Sequence, residues 1–210
     1  MRILSGQAKG RVLHSPSGRG TRPTDSRSRE ALFNILGERV VGARVLDLYA
    51  GTGAIGLEAL SRGAQSCIFV EQNIGAANAI RANIKMCSWQ EIAQIWQTAV
   101  KSALHRMQDQ VGQFDIIFAD PPFTRERELE DLCARLDTAR SLLHNVAGLK
   151  ADFASDSRRT LLIIQHFRKA QPHLETPWEL WQERRAGDST LSFWTLNQTL
   201  QPSEIELEIT

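Results

Sequence analysis

From Arg44 onward the chain alternates short apolar runs with longer stretches in which apolar residues recur every three or four positions. The runs at 44–48, 67–71, 92–97, 114–119 and 161–166 read as strands, as do two later ones at 180–184 and 191–196. Between the first five lie helix-length segments, at 53–62, 74–86, 100–110 and 126–143. This rhythm predicts a parallel sheet covered by helices on both faces. The last two runs follow one another across Ala186, Gly187 and Asp188, which predicts an antiparallel hairpin at the end of the sheet. The fold class is α/β, with a seven-stranded, mostly parallel sheet.

Ahead of this body, residues 1–14 read as a short β-hairpin with Gly6 and Gly10 as punctuation, and 15–21 as a loop. Asp25 or Ser26 is placed to cap a helix running to Leu36, with Leu32, Phe33, Ile35 and Leu36 inward and Arg27 and Arg29 outward. Residues 145–159 are polar without a clear period and read as an insertion or loop. The expected divisions are an extension at 1–42, a main domain at 43–200 and a tail at 201–210.

Composition narrows the class. At 210 residues, 42% hydrophobic and 23% charged, the chain has globular values and enough length for a core without staples. The three cysteines, Cys67, Cys87 and Cys133, have neither C-x-x-C nor zinc spacing, so a reducing, cytoplasmic setting is expected. No apolar run has the length of a membrane span, and the first residues carry no signal-peptide pattern. The net charge of +1 hides an asymmetry: residues 1–44 hold nine cations against three acids, a balance of +6, which leaves −5 for 45–210. A basic arm on a near-neutral body suits approach to a phosphate backbone, and equally a solvated terminus.

The sharpest chemical signal is Val45-Leu46-Asp47-Leu48-Tyr49-Ala50-Gly51-Thr52-Gly53-Ala54-Ile55-Gly56, a strand running through a glycine-rich turn into a helix. Gly51 and Gly53 allow close approach of a ligand, and Gly56 lets helix and strand pack closely. The spacing also matches a dinucleotide fingerprint, which alone is a weak signal. Asp47, however, would repel a pyrophosphate and attract an ammonium group. Glu71 ends the second strand 20 residues after Gly51, where a carboxylate can accept from both ribose hydroxyls. S-adenosylmethionine combines an ammonium, a ribose diol and an adenine without phosphate, and is the cofactor expected here.

A second signal follows the fourth strand, Asp120-Pro121-Pro122-Phe123. Ligands of open parallel sheets bind beyond the carboxyl ends of the strands, so this tetrapeptide is expected beside the glycine loop. The Asp120 carboxylate and the Pro121 carbonyl can accept the two hydrogens of an amino group, and Phe123 can stack on an attached ring. An exocyclic base amine is a poor nucleophile because its lone pair is delocalised. Two fixed acceptors favour a pyramidal nitrogen aimed at a methyl donor, so positioning and electrostatics carry the reaction.

Together these motifs resemble class I S-adenosylmethionine-dependent methyltransferases with a Rossmann-like fold. About nine-tenths of the chain resembles the bacterial 16S ribosomal RNA guanine-(N2) methyltransferase family of the RsmD type. The more specific part is amino-terminal: Arg2-Ile3-Leu4-Ser5-Gly6-Gln7, Lys9-Gly10-Arg11, Thr21-Arg22-Pro23-Thr24 and Arg27-Ser28-Arg29-Glu30-Ala31-Leu32-Phe33-Asn34. The resemblance implies cofactor contacts from Asp47, Tyr49, Ala50, Gly51, Thr52, Gly53, Glu71, Gln72 and Val100, and target-guanine contacts from Asp120, Pro121, Pro122 and Phe123. It implies RNA contacts from Arg11, Arg22, Pro23, Thr24, Arg27 and Arg29, with 1–42 as the RNA-contacting cover of the active site. The implied partner is ribosomal RNA within small-subunit particles, met by a monomer, with no metal and no membrane.

The chain departs from the family pattern at Ser26, Ala99, Gln165 and Ala186, and Ala99-Val100 would leave adenine recognition to backbone groups. The scattered histidines His14, His105, His144, His166 and His173 form no ligand pattern, and Trp178, Trp181 and Trp194 suit sheet packing. Two other readings stand beside guanine methylation: adenine-amino methylation in DNA or RNA, and a non-catalytic RNA-binding or assembly factor on the same fold.

Overall fold

The structure is a computed structural model that describes residues 1–15, 26–108, 114–122, 126–138, 160–175 and 178–196. The strands are β1 (Arg44–Leu48), β2 (Ser66–Val70), β3 (Ala93–Trp96), β4 (Ile116–Ala119), β5 (Leu161–Phe167), β6 (Trp178–Ala186) and β7 (Ser189–Leu196). The helices are α1 (Ser26–Leu36), α2 (Ala54–Ser61), α3 (Ile74–Cys87), α4 (Val100–Gln108) and α5 (Glu126–Thr138), with a 3-10 turn at Gly37–Val40. All seven strands form one sheet in the order β3-β2-β1-β4-β5-β7-β6. The pairs among β1 to β5 are parallel, and β7 runs antiparallel between β5 and β6.

Residues of opposite parity along each strand enter two cores, one on each face. Val45, Phe69, Ile116, Phe118 and Ile163 join Leu32, Phe33, Leu57 and Ile80, so α1, α2 and α3 cover that face. Leu46, Leu48, Val70, Ile117, Leu162 and Ile164 join Leu104, Met107, Leu132 and Leu136 beneath α4 and α5. Burial on both faces is why the central strands are apolar throughout. Gly56 sets the distance between α2 and the sheet: a Cβ there would lie 2.3 Å from the Phe69 ring and 2.6 Å from Cys67 Sγ.

The expected amino-terminal hairpin forms with one bridging pair, Arg2 with Val12, rather than two strands. The segment is held by the body. The buried Glu58 carboxylate accepts from the Leu4 and Ser5 N–H groups at 2.7 and 3.0 Å, and Asn83 exchanges hydrogen bonds with the His14 backbone at 2.7 and 3.1 Å. Gly6 passes so close to α2 that a Cβ would meet the Ser61 carbonyl. Arg29 corrects the expected helix face: it is fully buried and donates to the Arg2 carbonyl at 2.9 Å. The amino-terminal segment covers a side of α1 that the one-dimensional pattern leaves to solvent. The expected loops at 15–21 and 145–159 lie, apart from Ser15, outside the described residues. No helix among the described residues is long and apolar enough to cross a membrane.

Candidate active site

The order of strands reverses between β1 and β4, and their carboxyl ends lie side by side, Leu48 opposite Ala119. A sheet of this kind opens its ligand crevice at that switch point. The glycine loop leaves β1 there, Glu71 follows the end of β2 alongside, and Asp120 follows β4.

The loop is built from left-handed backbone: Tyr49, Gly51 and Gly53 have φ of 56°, 55° and 73°. For Tyr49, a side-chain-bearing residue, that conformation is strained, as is common at ligand sites. Glu71 holds the loop in place, one oxygen accepting from the Gly51 N–H at 2.8 Å and the other from the Asn73 N–H at 2.6 Å. Asn73 also caps α3 by accepting from the Ala76 N–H at 3.0 Å. Asn73 was missed as a site residue, although an Asn just before a helical run is an N-cap signature. Asp47 is 1% exposed and accepts from the Gly56 N–H at 3.0 Å, so it lies beneath the loop at the first turn of α2.

Burial raises the Asp47 carboxyl from its ordinary 3.8 to about 7; the Gly56 N–H lowers it in part, and the charges of Asp120 and Glu71 raise it further. The three acids singled out in the sequence therefore share one electrostatic neighbourhood. Among the described residues, no group of three or more His, Cys, Asp or Glu is arranged to hold a metal ion. The donor set suits an organic cation with a hydroxyl-bearing body: each Glu71 oxygen has a second lone pair free to accept, and a positive group relieves the repulsion at Asp47.

The other expected cofactor residues fall around this loop. Ala50 and Gly51 are half-buried, Thr52 is buried and Gln72 is exposed. The Tyr49 hydroxyl donates to Glu128 of α5 at 3.2 Å, and burial followed by that carboxylate's charge pushes the phenol upward. The Val100 side chain belongs to the core, so what it offers a ligand is its backbone N–H in the first turn of α4. On the target side Pro121 is buried and Pro122 exposed. Phe123, Arg22, Pro23 and Thr24 lie outside the described residues.

Two neighbours of Asp120 stand out. Ile164 pairs with Ala119, so Gln165 stands abreast of Asp120; it is 6% exposed and its Oε1 has no hydrogen-bond partner among the described residues. His166 is buried, with Nε2 2.7 Å from Ser192 Oγ and Nδ1 3.0 Å from the Phe167 carbonyl, a structural setting. Of the expected RNA contacts, Arg27 is exposed, Arg11 is exposed and donates to the Met86 carbonyl, and Arg29 is buried against the Arg2 carbonyl, which leaves it no exposed surface for a phosphate.

A family model described as conserved hypothetical protein 95 matches residues 1–195. The Escherichia coli (strain K12) protein called ribosomal RNA small subunit methyltransferase D is 30% identical over 89% of this chain and 85% of its own length. Bacillus subtilis YlbH is 39% identical over 68% of this chain and 77% of its own. The solved structure of yhhF from Escherichia coli superposes with a TM-score of 0.73 at 31% identity, covering 93% of this chain and 97% of that one.

Proposed function

The chain belongs to the conserved hypothetical protein 95 family, which includes the RsmD-type methyltransferases, and from that membership we propose that it methylates the N2 amine of a guanine in small-subunit ribosomal RNA. The observation that carries this reading is the juxtaposition at the β1/β4 switch point of the glycine loop, Glu71 and Asp120-Pro121-Pro122. Bound in the crevice, S-adenosylmethionine supplies an electrophilic methyl group on a sulfonium sulfur. Glu71 would accept from the ribose hydroxyls, the loop backbone would hold the methionine part, and Asp47 beneath the loop would contribute negative potential to the ammonium. The Val100 backbone N–H, in the first turn of α4, would be the donor available to the adenine.

The chain's part in the reaction is to hold the amine. The Asp120 carboxylate and the Pro121 carbonyl take its two hydrogens and localise the lone pair toward the donor. Proline at positions 121 and 122 keeps that geometry rigid. The proton shed after transfer passes to Asp120 or to water. Electrostatic positioning of this kind is worth about a hundredfold or more in rate.

Replacing Asp120 with Ala tests the assignment. Methyl transfer to small-subunit RNA should fall by about a hundredfold or more, with S-adenosylmethionine affinity within about twofold of the parent in a calorimetric titration. Equal activity in the variant removes Asp120 from the reaction.

A further inference from the structure

The chain's segment charges place its net positive charge in the amino-terminal arm, yet the fold gathers cations from the body at the same edge of the sheet as Asp120. In the β6–β7 hairpin, Ala186 pairs with Ser189, which leaves Gly187 and Asp188 as the turn. Ser189 also pairs with Phe167 at the carboxyl end of β5, so the turn lies at the same edge of the sheet as Asp120. Register gives the separation. Gln165 stands abreast of Asp120, Leu191 pairs with Gln165, and Arg184 pairs with Leu191. Arg184 is thus three strand spacings, roughly 14 Å, from Asp120 along one row of the sheet.

Between this turn and the start of α1 runs a groove of about 630 Å³, lined by Ser26, Arg27, Ser28 and Ala31 on one side and Arg184, Arg185 and Gly187 on the other. Arg27, Arg184 and Arg185 are exposed, and Arg168 and Lys169 are exposed just past β5, where the Arg168 N–H donates to the Asp188 carbonyl at 2.9 Å. The hairpin's acids are Glu179, Glu183 and Asp188; Glu183 accepts from Ser192 Oγ at 3.0 Å, and Glu179 pairs with Thr195 at the far end of the hairpin from the turn. Three guanidinium-bearing residues along an open groove beside the target site match the geometry and charge of a phosphodiester chain.

We propose that the groove between α1 and the β6–β7 turn seats backbone phosphates of the RNA strand that carries the target base, with Arg184 and Arg185 as contacts from the body of the fold. This rests on the reading of the protein as an RNA methyltransferase. The arrangement explains why a carboxyl-terminal hairpin carries adjacent arginines: the fold turns a sequence-distant pair into the far wall of the RNA path. Phosphate contacts of this type set position and affinity and carry no base identity.

The test is the double substitution Arg184→Glu, Arg185→Glu, made beside the charge-preserving Arg184→Lys, Arg185→Lys. Binding to small-subunit ribosomal RNA from cells lacking the protein is measured across a salt series, with S-adenosylmethionine affinity as the control for folding. In the glutamate variant the plot of log affinity against log salt should be shallower by about 1.5, since each lost phosphate contact removes roughly 0.7 to 0.9. The lysine variant should keep most of the slope and cofactor affinity should not change. A glutamate variant with the parent's slope and affinity overturns the groove while leaving the methyltransferase reading intact. A parent protein that transfers no methyl either to this RNA or to small ribosomal subunits from the same cells overturns that reading, and the groove with it.

Discussion

Asp47 shows how much a single position can carry. Its place four residues before Gly51 is visible in the sequence, but its burial under the loop and its bond to the Gly56 N–H are not. With the carboxyl raised to about 7 in the fold and near its ordinary 3.8 in the unfolded chain, the folded state keeps a proton that the unfolded state has released across that interval. Stability at Asp47 therefore falls as pH rises from about 4 to about 7 and is level above. Asp47→Asn keeps an acceptor for Gly56 and cannot ionise, so urea unfolding should show its stability relative to the parent to be greater at pH 8 than at pH 4. A difference that does not change with pH contradicts the burial-driven shift. Gln165 teaches the complementary lesson: the sequence marks only a departure from a pattern, whereas the structure shows, beside Asp120, a buried amide oxygen without a partner among the described residues.

At the scale of elements, the central strands and helices were legible because each is a periodic run closed by glycine or polar punctuation. β1 matches its expected span, and β2 to β5 differ from theirs by at most two residues at an end. The amino-terminal segment was legible only as a hairpin tendency, because its order comes from contacts with residues more than 50 positions away. Glu58 illustrates the gap. Within Ala54–Ser61 it is fully buried, takes two backbone N–H groups of the arm and also accepts from Arg62 Nε at 2.8 Å. Glu58→Ala strands those donors and should cost about 2–3 kcal/mol in denaturant unfolding. The Leu4 and Ser5 amides should then exchange with solvent faster than in the parent. Unchanged stability and exchange would show that the arm is held by its apolar contacts, Ile3, Ala8 and Leu13, instead.

For the whole molecule, the alternation of strands and helices was enough to expect parallel strands with an antiparallel end, and the two motifs were enough to place a site at the carboxyl edge. The order β3-β2-β1-β4-β5-β7-β6 was not readable, because insertion of β7 between β5 and β6 depends on pairing rather than on local pattern. Nor was the distribution of charge: counting along the chain separates a basic arm from a near-neutral body, while folding buries Arg29 and brings Arg184 and Arg185 to the carboxyl edge of the sheet. Both differences bear on how RNA meets the protein, and neither touches the cofactor crevice. Methylation of a guanine amine is tested by transfer of labelled methyl from S-adenosylmethionine to small ribosomal subunits from cells lacking the protein, followed by nucleoside analysis. Label in 2-methylguanosine is the expected result; label in methyladenosine, or no label at all, contradicts it.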